Sequence, residues 1–186
     1  MFDIQQHPNS DPILTSPISP EEWRELSRPT IVCVLVTPRG ELLLVQPKKA
    51  APNGWIFPQG AIERQESLLD AALREAHEEL GYSPQMLGVD KAKFIGKARF
   101  PTGGTTGKEY FVAAVPLINW MKPVLNSENS KVCTVGGPGE LIQKVADCSR
   151  NKKRLIRRVL ITAIADGVLF SQRWTTTKVN QFFGAP

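Results

Sequence analysis

The stretch TIVCVLVT, residues 30–37, is apolar or β-branched at every position. A strand with one wet face alternates polar and apolar residues, and this one does not, so it reads as a buried strand. PRGE turns the chain, and LLLVQ at 42–46 supplies a second strand, so the two read as a hairpin. AKFIGKARF (92–100), KEYFVAAVPL (108–117) and KVCTV (131–135) read as further strands, with PTGGTTG (101–107) as a turn. Helices are expected at 19–26, where Ser19, Pro20 and Glu22 form a capping box, and from Ser67 to Leu80 before Gly81. PGELIQKVADC is helical, as is the segment from Lys152 to about Gly167, where Leu155, Val159, Leu160 and Ala163 roughly follow helical spacing. WTTTKVNQFFGAP, at the end, receives no assignment. Strands mixed with a few helices make an α/β or α+β sandwich around a mixed sheet.

Residues 1–18 are rich in Pro, Ser, Asp and Asn, and read as a flexible N-terminal arm before one domain over 19–186. The longest apolar run, IVCVLV, is far too short to span a bilayer, so no membrane partner is expected. No secretory leader is visible, and three widely spaced cysteines make neither a disulfide framework nor a metal pair; a reducing, cytoplasmic setting fits best. Lys and Arg outnumber Asp and Glu by 23 to 18, for a net charge of +5. This mild excess suits a protein that meets phosphates. Much of it sits in RNKKRLIRR, residues 150–158, which reads as a nucleic-acid patch or as a solvated helix face.

The helix over 67–80 holds the chemistry. On a helical wheel Leu69, Ala72, Leu73, Ala76 and Leu80 share an arc that should face the core. Glu75, Glu78 and Glu79 fall on the adjacent arc, where offsets of three and four stack like charges at a cost of a few tenths of a kcal/mol. Such a patch needs either water or a cation. Mg²⁺ is a hard ion that binds through a few carboxylates plus substrate phosphates, and would turn the patch into a site.

The neighbouring residues favour the ion. Gly60 stands six before Glu66, and Glu66 eight before Arg74; then come Glu75, Ala76, His77, Glu78, Glu79, Leu80, Gly81 and Tyr82. This resembles the Nudix hydrolase box, G-x5-E-x7-R-E-U-x-E-E-x-G-U with U apolar, and every fixed position is filled. A chance match is on the order of 10⁻⁹ per register. The resemblance implies an α/β/α sandwich with a central mixed sheet and a loop-helix-loop metal site. It implies a hydrolase that cuts a phosphoanhydride bond in a nucleoside diphosphate derivative, with Mg²⁺ as cofactor (Mn²⁺ as a substitute). Glu78 and Glu79 would be the main ligands, Glu75 a further ligand or the base, and the Gly60 carbonyl another ligand. Arg74 and Glu66 would pair structurally, tying loop to helix. An acidic residue outside the box often serves as base; Glu128 is the candidate, with Glu109 and Glu140 as competitors.

GWIFPQGAIE, residues 54–63, is similar to the lead of bacterial RNA pyrophosphohydrolases and plant-type dinucleoside polyphosphate hydrolases. The expected substrate is therefore a dinucleoside polyphosphate or a 5′-triphosphate RNA end. Trp55 and Gln59 in this lead, Lys48 and Lys49 in the loop before it, and Lys108 and Tyr110 after the glycine turn are the candidate substrate contacts. Trp55 also reads as core filler, and the two loop lysines as a solvated pair. Hydrolysis of nucleotide sugars, ADP-ribose or damaged nucleotides is the same-class alternative. A Nudix-fold module that only binds a ligand or RNA is the other; such modules usually lose a box carboxylate, and this chain keeps all of them.

Overall fold

The computed structural model describes residues 11–26, 29–49, 54–102, 105–169 and 172–184. Its central element is β1 (Pro29–Val36), followed by β2 (Leu42–Pro47) and the short β3 (Gln59–Ala61). Then come β4 (Lys93–Thr102), β5 (Thr105–Pro116) and β6 (Asn129–Val135), in a sheet of order β4-β5-β1-β2-β6, with β3 also on β1. The sheet is mixed: β1 runs parallel to β5 and antiparallel to β2 and β3. The α-helices are α1 (Pro12–Thr15), α2 (Pro20–Glu25), α3 (Leu68–Leu80), α4 (Pro138–Lys144), α5 (Arg150–Ala165) and α6 (Thr176–Phe183), with two short 3-10 turns at Pro84–Met86 and Val89–Lys91. None is long and apolar enough to cross a membrane.

β1 is buried along nearly its whole length because it feeds two cores. Ile31, Cys33 and Leu35 point to one, with α3 and Leu14 of α1. Val32, Val34 and Val36 point to the other, with Trp55, Phe57 and residues of α4, α5 and α6. Alternation along a strand sends successive side chains to opposite faces, so a strand covered on both must be apolar at each position.

Three boundaries differ from expectation, each for a physical reason. The β1–β2 hairpin closes at Val36–Leu42 and then splays, and β3 takes the vacated edge of β1 through Thr30–Ala61, Ile31–Gly60 and Val32–Gln59. The glycine turn after β4 is mostly strand, since the β4–β5 ladder continues to Thr102–Thr105. The unassigned C-terminal stretch contains α6, capped by the Thr175 side chain, and Trp174 Nε1 donates to the Gly40 carbonyl at 2.8 Å.

The arm expected over 1–18 is not loose over its described part. Residues 1–10 lie outside the described residues. Asp11 caps α1, and its side chain also accepts from the Phe94 N–H at 3.1 Å. Leu14 is wholly buried in the first core. Replacing Leu14 with alanine is therefore expected to lower stability by about 2–5 kcal/mol, the cost of emptying a core site. Urea unfolding measures this; a change within about 0.5 kcal/mol, as at a solvated position, would mean that the segment is not part of the core.

Candidate active site

β3 lays Gly60 across β1 directly beneath α3. The Glu75 carboxylate rests against the Gly60 Cα so closely that a Cβ there would fall among the carboxylate atoms. A side chain at this position would displace the Glu75 carboxylate from β3. α3 is fixed at both ends. Ser67 accepts from the Asp70 N–H and donates to its carboxylate, and Gly81, at φ 73°, closes the C-terminus.

Arg74 is the hub. Its Nε and Nη2 reach the Glu66 carboxylate at 2.8 and 3.0 Å, and Nη2 also donates to the Ala61 carbonyl at 2.7 Å. Its Nη1 reaches Glu75 at 2.6 Å and Glu78 at 3.3 Å. The Glu66 pairing expected from the sequence is thus present, and the same guanidinium also holds two of the three clustered glutamates. These bonds, to Glu66 first, push the Arg74 pKa up, so its charge is permanent.

Glu75 and Glu79 are 6% and 7% exposed, whereas the Glu78 side chain is 54% exposed. Glu79 takes hydrogen bonds from the Gln59 backbone N–H and the Asn129 side chain. Its Oε2 is buried with no hydrogen-bond partner, and among the described residues Glu79 has no cationic one. Burial, then the Glu75 charge, pushes the Glu79 pKa up to about 7, against the two hydrogen bonds. Glu75 is raised too, by burial more than Arg74 lowers it. Cys33 lies beneath them, its thiol pushed up by its own burial and then by Glu79 and Glu75.

The segment after β5 brings in the remaining members. Tyr82 Oη donates to the Met121 carbonyl at 2.8 Å, and the Val124 N–H to the Leu80 carbonyl at 2.9 Å. Asn126 Oδ1 then accepts from the Glu128 and Asn129 N–H groups, which sets Asn129 against Glu79. Glu128 is exposed but close enough for its charge to raise the Glu79 pKa, and its carbonyl accepts from the Lys48 N–H at 2.9 Å. Its competitors are engaged elsewhere. Glu109 stands 3.9 Å from Arg99, and Glu140 accepts from the Gly136 N–H.

The other expected contacts separate. Gln59 and Tyr110 line a slot of about 40 Å³ with Val32, Phe57, and Lys152 and Ile156 of α5. Lys48 and Lys49 are exposed beyond β2. Trp55 is 7% exposed in the second core, with Lys144 Nζ 4.9 Å from its ring centre, so it is a core wall rather than an open stacking surface. The Lys108 side chain lies outside the described residues. Asn129 was missed by sequence reasoning; its only signal is the Asn-Ser-Glu-Asn run, which reads as a turn.

Among the described residues, no three acidic, His or Cys side chains already stand in ligating positions, because Arg74 draws Glu75 and Glu78 toward itself. The donor chemistry nevertheless fits a hard divalent ion. Every donor is oxygen, one guanidinium faces Glu66, Glu75 and Glu78, and the buried Glu79 Oε2 lacks a partner.

A model of the NUDIX domain matches residues 26–135. Similar curated proteins carry the name RNA pyrophosphohydrolase. That of Nitratiruptor sp. is 30% identical over 100 residues, 48% of this chain and 64% of that protein. That of Hahella chejuensis is 28% identical over 108 residues, 58% of this chain and 66% of that protein. The chain therefore matches just under two thirds of the length of these relatives. A solved binary complex of C. elegans Ap4A hydrolase superposes with a TM-score of 0.57 at 20% identity, covering 75% of this chain and 98% of that one. MutT from Aliivibrio salmonicida and Vibrio cholerae gives 0.51 at 16%, covering 72% and 96%. At such identities the likeness is one of fold.

The raised Glu79 pKa fixes a pH dependence for the metal-free protein. The unfolded chain releases this proton near the ordinary 4.5, the folded chain only near 7, so stability falls as pH rises between them. Glu79→Gln is expected to raise the melting temperature at about pH 8 and to make little difference at about pH 4. Thermal unfolding in EDTA checks this; an equal gap at both pH values would exclude the buried charge as its cause.

Proposed function

The chain belongs to the Nudix family, and on that premise we propose that it is a divalent-metal-dependent pyrophosphohydrolase of nucleoside diphosphate derivatives. The favoured substrates are a dinucleoside polyphosphate or a 5′-triphosphate RNA end. The observation that carries this is the buried Glu79 carboxylate, whose Oε2 has no partner, beside a Glu75 carboxylate lodged against Gly60. Burying two like charges side by side is costly unless something positive compensates them. The names of the similar RNA pyrophosphohydrolases and the WIFPQG lead support the choice of substrate.

Glu75, Glu78, Glu79 and the Gly60 carbonyl would hold Mg²⁺, with Mn²⁺ as a substitute. When bound, the ion supplies charge neutralisation at the phosphates and a lowered pKa for water. The chain's own residues do the rest. Arg74 fixes the loop 61–66 to α3, so the carboxylates and the Gly60 carbonyl keep one geometry. Gln59 and Asn129 orient Glu79 by hydrogen bonds, so that Oε2 is the oxygen left free. Glu128, on the exposed loop beside Asn129, is the base that takes a proton from the attacking water. Lys48 and Lys49 meet phosphates, and Gln59 and Tyr110 contact the nucleoside at the mouth of the slot, which at about 40 Å³ is too small to enclose it.

A product screen with Mg²⁺ across Ap4A, triphosphate RNA, ADP-ribose and dNTPs tests the assignment. Hydrolysis of the first two, lost in EDTA, is expected. Glu78→Gln should cut turnover at least about 10²-fold, and because Glu78 is half exposed it should leave stability within about 0.5 kcal/mol. Wild-type turnover in that variant, or in EDTA, would remove the cation from the account.

A further inference from the structure

The basic run 150–158 is not used by the chemistry above. It forms the first half of α5, a helix with no Asp or Glu anywhere along it. Arg150, Arg154 and Arg158 recur every four residues, so they stack on one exposed face over successive turns, about 6 Å apart along the axis. The opposite face, with Ile156, Val159, Leu160 and Ala163, is buried in the second core. Two of the other three cations of the run are hydrogen-bonded. Lys153 Nζ donates to the Ala146 carbonyl at 2.7 Å, and Arg157 to Asn180 Oδ1 at 2.6 and 3.1 Å. Among the described residues, Arg150, Arg154 and Arg158 have no carboxylate partner.

Two features of this placement work against the isolated helix. Like charges four apart repel, and cations in the first turn sit at the positive end of the helix dipole. Both penalties vanish against a polyanion. The first turn also sends Lys152 into the slot that Gln59 lines, and the Gln59 N–H is bonded to Glu79. The stripe therefore runs along the same helix that walls the slot.

We propose that Arg150, Arg154 and Arg158 of α5 form a tract for the phosphate backbone of a single-stranded polynucleotide whose 5′ end lies at the carboxylate site. A dinucleoside polyphosphate has no backbone to lay along it. The consequence for turnover rests on the proposed hydrolysis; the binding does not.

The probe is a 3′-fluorescein 12-nucleotide RNA with a 5′-hydroxyl, which offers no bond to hydrolyse, with the same DNA sequence alongside. Fluorescence anisotropy is read against salt. For R150Q/R154Q/R158Q, the slope of log Kd with log salt should lessen by about 2 and Kd at 0.1 M salt should weaken about a hundredfold, equally for RNA and DNA. The charge-keeping R150K/R154K/R158K should bind nearly as wild type. In turnover, kcat/KM on triphosphate RNA should fall in the Gln variant while that on Ap4A stays unchanged. Unaltered RNA binding in the Gln variant overturns the tract, as does an equal loss in the Lys variant. Equal losses on Ap4A and RNA overturn it too. If the wild type hydrolyses nothing, the functional reading fails and the anisotropy arm still decides the tract.

Discussion

The contact between the Glu75 carboxylate and the Cα of Gly60 constrains everything around it. A side chain at 60 would push the carboxylate away, and the contact depends on a strand that carries this residue under α3. It also requires something to hold the carboxylate there despite burial. Arg74 meets the last need, reaching Glu75 while anchoring Glu66 and the Ala61 carbonyl. A single guanidinium thus joins the strand, the loop and the helix into one rigid piece. It stops short of Glu79, whose charge is left to two hydrogen bonds and whose second oxygen has none. The rest of the chain is basic on balance, so this concentration of acid is local and specific.

The sheet serves the same end. β1 is parallel to β5, and β2 turns away from it after one pair, which opens the edge that β3 occupies. With β3 in place, one face of β1 meets α3 and the carboxylates, and the other meets α5 and the slot. Gln59 belongs to both sides, its N–H on Glu79 and its side chain in the slot.

Much of this was legible in the sequence. The uninterrupted apolar run of 30–37 required a strand covered on both faces, and the wheel of 67–80 separated the core arc from the carboxylates. Ser67 and Gly81 set that helix's limits as read. What escaped was non-local. The role of Asn129 and the packing of Leu14 depend on which distant segments meet, and no local periodicity encodes that. The split of the three glutamates into two buried and one exposed was also hidden, because a helical wheel shows the angle of a side chain and not what covers it. The C-terminal α6 lacked a long apolar period; its cap at Thr175 was readable, but only Val179 is fully buried.

The central claim is that Glu75 and Glu79 at Gly60 grip a divalent cation. Electron paramagnetic resonance of free Mn²⁺, titrated with metal-free protein, tests it without substrate. Saturable loss of the free-ion signal is predicted for the wild type, weakened at least about tenfold in Glu79→Gln. No saturable binding, or equal affinity in the variant, would contradict the claim.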